Sequence, residues 1–352
     1  MSETPAIVLG GTGYVAGELL RLIAAHPRLN LAAVVSDSKP GAPVAEAFPH
    51  LAPAYPETRF AHADTATDLV ARHPDCAVFS AAPHGTAATA LDHLLAAAAT
   101  AGTAPRVVDI SADFRFADPA LYQAVYGHPH PAPARLKDFS CALPEHLESL
   151  RTPHVAHPGC FASAMLIALV PLLKLELIEP ELYVAGVTGS TGSGRTPSAT
   201  THHPLRHSDL YSYSALRHRH APEVVAVAQS LVGVSPTLHF VAHSGPFARG
   251  IHVTAQARLR RAISEPELLT RLSQCYAAHP FVQVRAEPPR VKDVVGSNYA
   301  RLGVAVDGDS VAVLVALDNL TKGAAGGALQ WMNRLQGWDS TLGLTAPAAG
   351  WT

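Results

Sequence analysis

The sequence predicts an α/β protein of two domains, the first built on a doubly wound parallel sheet and the second an α+β domain with a mostly antiparallel sheet. Three observations carry this. In the first half, short apolar runs alternate with amphipathic helical stretches, and such alternation implies parallel strands joined by crossover helices. A glycine-rich turn sits between the first apolar run and the first helical stretch. In the second half, strands alternate apolar and polar residues, the pattern of a half-buried strand, and two of them flank a hairpin turn.

Taken in order, residues 6–9 form the first strand and 17–26 the first helix. Strands follow at 31–35, 77–81 and 107–110, with the Ala/Leu-rich stretch 86–99 helical between the last two. The Pro-rich stretch 128–133 reads as a loop and 153–156 as a short strand. Beyond it come a helix over 161–175, a strand over 182–188 and a helix starting near Pro222. In 251–259, apolar residues alternate with His252, Thr254, Gln256 and Arg258. Strands at 304–306 and 311–317 flank Asp307-Gly308-Asp309, a hairpin signal, and 323–335 is a last helix. No internal repeat is visible, and the Ala-rich stretch 96–104 reads as a helix end and loop.

Composition narrows the function. The 352 residues are 48% hydrophobic and 15% charged, enough apolar material for two cores and no sign of disorder. A net charge of −2 gives no general drive towards nucleic acid or a membrane surface, so neither is expected as a partner. The longest apolar runs are too short and too interrupted to span a bilayer. The start MSETPAIVLGG lacks a basic segment followed by a long apolar one, so no secretory signal is expected. Cys76, Cys141, Cys160 and Cys275 are far apart, with no CxxC pair. That argues against disulfides and structural zinc, and a reducing, cytoplasmic setting is expected. The 20 histidines cluster only at His128/His130, His202/His203 and His218/His220, without the helical spacing of a catalytic metal motif, so no metal is expected.

Gly10-Gly11-Thr12-Gly13-Tyr14-Val15-Ala16-Gly17 fits a dinucleotide fingerprint of the Rossmann type, with Ala16 at its third position. Glycines let the backbone approach a pyrophosphate, and the helix start offers N–H donors and partial positive charge. The second strand ends in Val35-Ser36-Asp37-Ser38-Lys39. Asp37 suits an unmodified ribose and hence NAD, whereas Ser36, Ser38 and Lys39 suit a 2′-phosphate, so these residues leave the choice open.

Cys160 stands apart from the other cysteines. His157-Pro158-Gly159-Cys160 follows a short strand and precedes a helix, which puts the thiol at a helix N-terminus, where free N–H groups favour a thiolate and can hold an oxyanion. Cys76, Cys275 and Cys141 read as inert. A thiolate nucleophile needs a proton partner. Arg217-His218-Arg219-His220-Ala221-Pro222-Glu223 packs two imidazoles and two guanidiniums into four residues, and reads either as an active-site loop for an anionic substrate or as a solvated basic loop. Gly189-Ser190-Thr191-Gly192-Ser193-Gly194-Arg195 is either an anion-wrapping loop or a connector.

Together these segments resemble the N-acetyl-gamma-glutamyl-phosphate reductase family, related to the aspartate-semialdehyde dehydrogenases. The match runs nearly the whole chain: GGTGYVAGELLRL, AAPHG, DISADFR, HPGCF, GSTGSGR, HRHAPE, RGI and DNLTKGAAGGALQ occur in family order. Ala16 departs from the family's usual third glycine. The resemblance implies a dinucleotide-binding domain over 1–157, completed by 319–352, and a catalytic and oligomerisation domain over 158–318. It implies NADP(H) as cofactor, a small-molecule substrate and a homo-oligomer, dimer or tetramer. It makes Cys160 the nucleophile of a thioester mechanism and His218 the acid-base, with His220 as runner-up. Arg115 would bind the phosphate, Pro83, His84 and Gly85 would line the cofactor cleft, and Asn319 would reach the nicotinamide amide. Arg217, Arg219 and Arg249 are unranked candidates for the substrate's free carboxylate. The implied reaction is NADPH-dependent reduction of N-acetyl-gamma-glutamyl phosphate to N-acetylglutamate 5-semialdehyde in arginine biosynthesis. The competing expectations are an aminoadipyl phosphate of lysine biosynthesis, on a carrier that would need a basic docking rim, a non-catalytic NADP-binding regulator, and a Cys/His hydrolase.

Overall fold

The computed structural model describes residues 3–350. The chain forms two compact units. The first takes the chain up to Ala142, then Ser149–His157 and Ala325–Thr345; the second takes Leu143–Glu148, Pro158–Ala324 and the end from Ala346. The return to the first unit therefore starts at residue 325 rather than 319, and Asn319 belongs to the second unit.

The first unit is a six-stranded, all-parallel sheet. Its strands are β1 (Thr4–Leu9), β2 (Leu29–Val34), β3 (Ala77–Ser80), β4 (Arg106–Asp109), β5 (Phe139–Cys141) and β6 (His154–Ala156), in the order β2-β1-β3-β4-β6-β5. The helices are α1 (Tyr14–Ala24), α2 (Val44–Ala47), α3 (Ala63–Arg72), α4 (Ala87–Ala101) and α5 (Pro119–Tyr126). Residues Ala6, Ile7 and Val8 of β1 and all of β3 are fully buried, the signature of strands covered on both faces. The order reverses at β1: β2 lies on one side and β3 on the other. The ends of β1 and β3 thus form a topological switch point, the place where open α/β sheets bind ligands. The fingerprint glycines leave β1 there.

The second unit carries a seven-stranded sheet in the order β11-β12-β13-β10-β7-β9-β8. Its strands are β7 (Ile178–Thr188), β8 (Tyr211–Tyr213), β9 (Thr237–Ser244), β10 (Ile251–Leu259), β11 (Val282–Val284), β12 (Ala300–Asp307) and β13 (Ser310–Leu317). The sheet is mixed: β7/β9 and β11/β12 pair in parallel, the other neighbours antiparallel. The hairpin expected at Asp307-Gly308-Asp309 joins β12 to β13, with Asp307 opposite Ser310 and Gly308 at φ +58°. Helices α6 (Cys160–Lys174), α7 (His203–Arg206), α8 (His220–Val232) and α9 (Glu265–Cys275) complete the unit. Every residue from Phe161 to Leu173 of α6 is buried, because this helix packs on β10 and β13 and against α8. Each large apolar side chain so buried contributes about 1.5–3 kcal/mol. A π-helical turn, Thr321–Ala325, precedes α10 (Gly326–Leu335), which belongs to the first unit. There Trp331 is fully buried and its Nε1–H donates to the Ala142 carbonyl at 2.8 Å.

Burial pushes the imidazoles of His146, His154 and His218 down from 6.5 to about 4. Between those values the unfolded chain binds more protons at these sites, so their contribution to stability is full above pH 6.5 and is lost as pH falls towards 4. Asp109 works the other way, since burial pushes its carboxyl up to about 6, but it is one group against three. The unfolding free energy is expected to be lower at pH 5 than at pH 7.5, by on the order of a few kcal/mol in sum, with a correspondingly lower urea midpoint. Equal midpoints at the two pH values would contradict it.

Candidate active site

The nucleotide loop is built as its sequence requires. Gly10 has φ +74°, and a Cβ there would lie 2.4 Å from the backbone of Ala82 just beyond β3, so only glycine fits at the switch point. Gly11 N donates to the Val35 carbonyl at 2.7 Å, joining the loop to the end of β2. Gly13 is the N-cap of α1, no side chain caps that helix, no acidic residue stands in its first turn, and nothing lies within 4 Å of where a Gly13 Cβ would be. The open, uncapped N-terminus fits a pyrophosphate. Thr12 and Val15 are partly exposed, Tyr14 is exposed, and Ala16 is fully buried. Beyond β2, Ser36 is buried and its Oγ accepts from Lys39 N at 3.2 Å and lies 3.3 Å from Ser38 Oγ. Asp37, Ser38 and Lys39 are exposed.

After β3, Pro83, His84 and Gly85 make a turn, with Gly85 at φ +86°. Its organiser is Asp113, which the sequence reading did not single out. This carboxylate accepts from His84 Nδ1 at 2.7 Å, Gly85 N at 2.9 Å and Ala88 N at 3.0 Å, the last in the first turn of α4. Burial raises its carboxyl, but the bonds from His84, Gly85 and Ala88 outweigh that and hold it below the ordinary value. Arg115, two residues on, is buried, and its guanidinium donates to the carbonyls of Ile110 (2.9 Å) and His157 (3.1 Å). It braces the ends of β4 and β6.

In the second unit, Cys160 is the first residue of α6, with Gly159 as N-cap and no side-chain cap. Two neighbours fix it. Gly159 N donates at 2.6 Å to Oε1 of Glu223, a fully buried carboxylate in the first turn of α8 that accepts the bond. From the other side the π-helical turn presents Gly323, where a Cβ would lie 2.8 Å from the Cys160 Cβ. That turn is anchored by Lys322, fully buried, whose Nζ donates to Glu145 Oε1 at 2.6 Å. Glu223 sits inside the HRHAPE segment, so its presence was legible and its role was not. Gly323 reads as the plain start of a helix, Lys322 was not singled out, and the π turn has no sequence signal.

His218 and His220 are both buried, whereas Arg217 and Arg219 are exposed. The ring of Phe161 meets both imidazoles edge-on, at 5.7 and 6.4 Å between centroids. Tyr213 lies 5.6 Å from the His218 ring, and its hydroxyl is pushed up by burial and then by the charge of Cys160, which puts all three in one neighbourhood. His218 Nδ1 accepts from His220 N at 3.2 Å. A nitrogen that accepts a backbone N–H carries no proton, so the neutral ring holds its proton on Nε2. The approach to His218 is strained: Ser208, Ser214 and Leu216 all have φ between +46° and +59°, rare outside glycine and concentrated at functional sites.

Two other segments have partners that the sequence did not show. Gly189–Arg195 does not present a ring of free donors for an anion. Gly189 N, Ser190 N and Thr191 N donate to the carbonyls of Gly250, Phe247 and Ala248, and Gly192 N to Gly189. Arg249 is held by Asp318 in a bidentate pair, 3.0 Å at both bonds, and by Thr321 Oγ1, so the fold braces this guanidinium. Asn319 bridges two loops, accepting from Gly250 N at 2.7 Å and donating to Thr191 Oγ1 at 3.0 Å. Among the described residues no group of acidic, His and Cys side chains has the arrangement of a metal site, and no helix is long and apolar enough to cross a membrane.

Comparison with known proteins places both units. Residues 5–139 match the semialdehyde dehydrogenase NAD-binding domain, and residues 160–319 the semialdehyde dehydrogenase dimerisation domain. N-acetyl-gamma-glutamyl-phosphate reductase from Dehalococcoides mccartyi is 37% identical, over 99% of each chain. A putative [LysW]-L-2-aminoadipate/[LysW]-L-glutamate phosphate reductase from Aeropyrum pernix is 36% identical, over 97% of each. The crystal structure of aspartate semialdehyde dehydrogenase with NADP from Candida albicans shares the fold at 15% identity, with a TM-score of 0.67 over 95% of this chain and 99% of that one. A dinucleotide loop at a sheet switch point, a cysteine heading a buried helix and full-length relatives at this identity agree: the chain belongs to the N-acetyl-gamma-glutamyl-phosphate reductase family of semialdehyde dehydrogenases.

Proposed function

We propose that this protein reduces N-acetyl-gamma-glutamyl phosphate to N-acetylglutamate 5-semialdehyde with release of phosphate, through a thioester on Cys160. The observation that carries the reading is the seat of Cys160: heading α6, uncapped by any side chain, and held between Gly159 and Gly323. The Cys160 thiolate attacks the acyl carbon and the carbon–oxygen bond to phosphate breaks. NADPH, when bound, would supply the hydride that reduces the thioester carbon. The N–H groups at the start of α6 and the Nε2–H of His218 stabilise the oxyanion that results. Its collapse breaks the carbon–sulfur bond, frees the aldehyde and regenerates the thiolate.

Residues Gly10, Gly11, Thr12, Gly13, Tyr14 and Val15 would hold the pyrophosphate, and Pro83, His84 and Gly85 the adjoining part of the cofactor. Arg115 is the candidate phosphate ligand, as a guanidinium already oriented by two carbonyls. NADPH is the expected cofactor, because Ser38 and Lys39 are exposed partners for a 2′-phosphate and Ser36 holds their turn. The test is reduction of N-acetyl-gamma-glutamyl phosphate, followed at the nicotinamide absorbance, with NADPH and NADH titrated side by side. We expect a clear preference for NADPH in kcat/KM. Equal or better use of NADH would mean that Asp37 repels the 2′-phosphate, and no turnover with either would end the reading. The Aeropyrum relative's name makes a carrier-bound aminoadipyl phosphate the second substrate to assay.

A further inference from the structure

Of the three arginines that the sequence offers for the substrate's free carboxylate, Arg249 is consumed by Asp318, and Arg217 and Arg219 lie on the surface. A fourth, Arg206, lies outside every motif of the family. It ends the single turn of α7 and is 8% exposed, although His203, Pro204 and Leu205 before it and His207 and Ser208 after it are all exposed. Its Nη1 donates to the Asp209 carbonyl at 2.8 Å. Its Nε and Nη2 are buried and have no hydrogen-bond partner, and no described carboxylate is within ion-pair distance. A guanidinium stays charged at any accessible pH, and buried without a counter-ion it is costly. The arrangement makes sense when an anion completes it.

The surroundings suit one. Arg206 lines an open cavity of about 660 Å³ together with Ser190, Thr201, His203, His207 and Phe247. That is three hydrogen-bonding types and an apolar wall around one fixed positive charge, with no acid among them. The cavity also lies at the right end of the sheet. Ser190 follows the end of β7, and Phe247 precedes β10. Thr188, Ile251 and Leu317 are paired side by side there, and Leu317 and Cys160 both contact the position of Gly323.

We propose that this cavity is the subsite for the carboxylate that the acyl phosphate carries besides its reacting carbonyl, with Arg206 as principal ligand and Ser190, Thr201 and His203 as lesser donors. Two guanidinium N–H groups, Nε and Nη2, form the edge that pairs with a carboxylate in bidentate fashion. The inference rests on the reductase reading for the identity of the ligand, but not for the existence of the site.

The test runs the reaction in reverse with NADP and phosphate, on two aldehydes: N-acetylglutamate 5-semialdehyde and 4-acetamidobutanal, which differs only in lacking the carboxylate. Arg206→Gln is expected to raise KM for the semialdehyde roughly 10- to 100-fold, the worth of a charged hydrogen-bonded pair, with kcat little changed. Constants for 4-acetamidobutanal should stay at wild-type values. Arg206→Lys, which keeps the charge and loses the fork, should fall between. Unchanged KM for the semialdehyde, or equal losses on both aldehydes, would overturn the proposal. Since the guanidinium has no internal counter-ion, Arg206→Gln should not lower Tm; a large drop would mark a structural role and overturn it. Calorimetric titration with N-acetylglutamate and, separately, with inorganic phosphate needs no turnover. Wild type binding N-acetylglutamate and Arg206→Gln losing it supports the site even if neither aldehyde reacts, which would sink only the reductase reading. Loss of phosphate binding with N-acetylglutamate binding intact would give Arg206 to the phosphate and overturn the assignment.

Discussion

Cys160→Ser is expected to lower the rate of acyl phosphate reduction by roughly 10⁴-fold or more, while NADPH still binds with unchanged affinity. A serine hydroxyl is un-ionised near neutral pH, and the ester it would form is a poorer hydride acceptor than a thioester. The substitution removes one sulfur from a site whose walls stay in place: Glu223 still holds Gly159, and Gly323 still packs where the side chain begins. The nucleotide loop lies in the other unit and is untouched. Wild-type protein given acyl phosphate without cofactor should accumulate a covalent adduct on Cys160, found by peptide mass spectrometry. Two of the remaining cysteines are poor competitors. Burial pushes the Cys76 thiol up to about 11, and it raises that of Cys275 as well. Adduct on Cys76, Cys141 or Cys275, or wild-type turnover in Cys160→Ser, would refute the mechanism.

What was readable in the sequence follows a physical pattern. The parallel first sheet was legible because its strands are buried on both faces and so stand out as apolar runs between helices. The hairpin β12–β13 was legible because a tight turn demands its own residues. Strands β5 and β9 were not. The first has three residues, too few for a period, and in the second, Thr237–Ser244, His239 and His243 break the apolar run. The parallel pairings of β9 with β7 and β11 with β12 could not be read from alternation, which reports burial and not direction. At the site, Cys160 was legible because Pro158-Gly159 forces a turn before an apolar helix. Its supports were not. Glu223 reaches Gly159 across 64 positions of sequence and Lys322 reaches Glu145 across 177, and no local pattern encodes such a distance. The partner of Arg249 is a case of the same kind: Asp318 pairs with it from 69 positions away, and nothing beside the arginine announces it. Asp113 was hidden inside a motif whose arginine drew the attention.

His218→Asn is expected to slow turnover by roughly two to four orders of magnitude, and the structure says which atom would be responsible. His218 Nδ1 accepts the His220 N–H, so the proton of the neutral ring sits on Nε2. Burial, followed by the charge of Arg219, pushes the imidazole down to about 4, so the ring stays neutral throughout the range in which the enzyme would work. On the proposed mechanism, a ring in that state would act as a donor through Nε2–H towards charge that develops on sulfur or on the acyl oxygen, and not as a resting base for the Cys160 thiol. Asparagine can place its carbonyl oxygen where Nδ1 was and keep the bond from His220, but it has nothing at Nε2. Glutamine can place an amide N–H near Nε2 and donate without transferring a proton. If donation alone matters, His218→Gln should recover much of the loss seen in His218→Asn; if proton transfer matters, both should be equally slow. Neither change should stop iodoacetamide from labelling Cys160, since the start of α6 favours the thiolate independently. A further sign follows from the depressed imidazole: kcat/KM should show no acid limb at pH 6–7 that disappears in His218→Asn. Such a limb would mean that His218 titrates near 6.5 and acts in its charged form. A mild His218→Asn beside a crippled His220→Asn would move the proton role two residues along and leave the thioester chemistry of Cys160 standing.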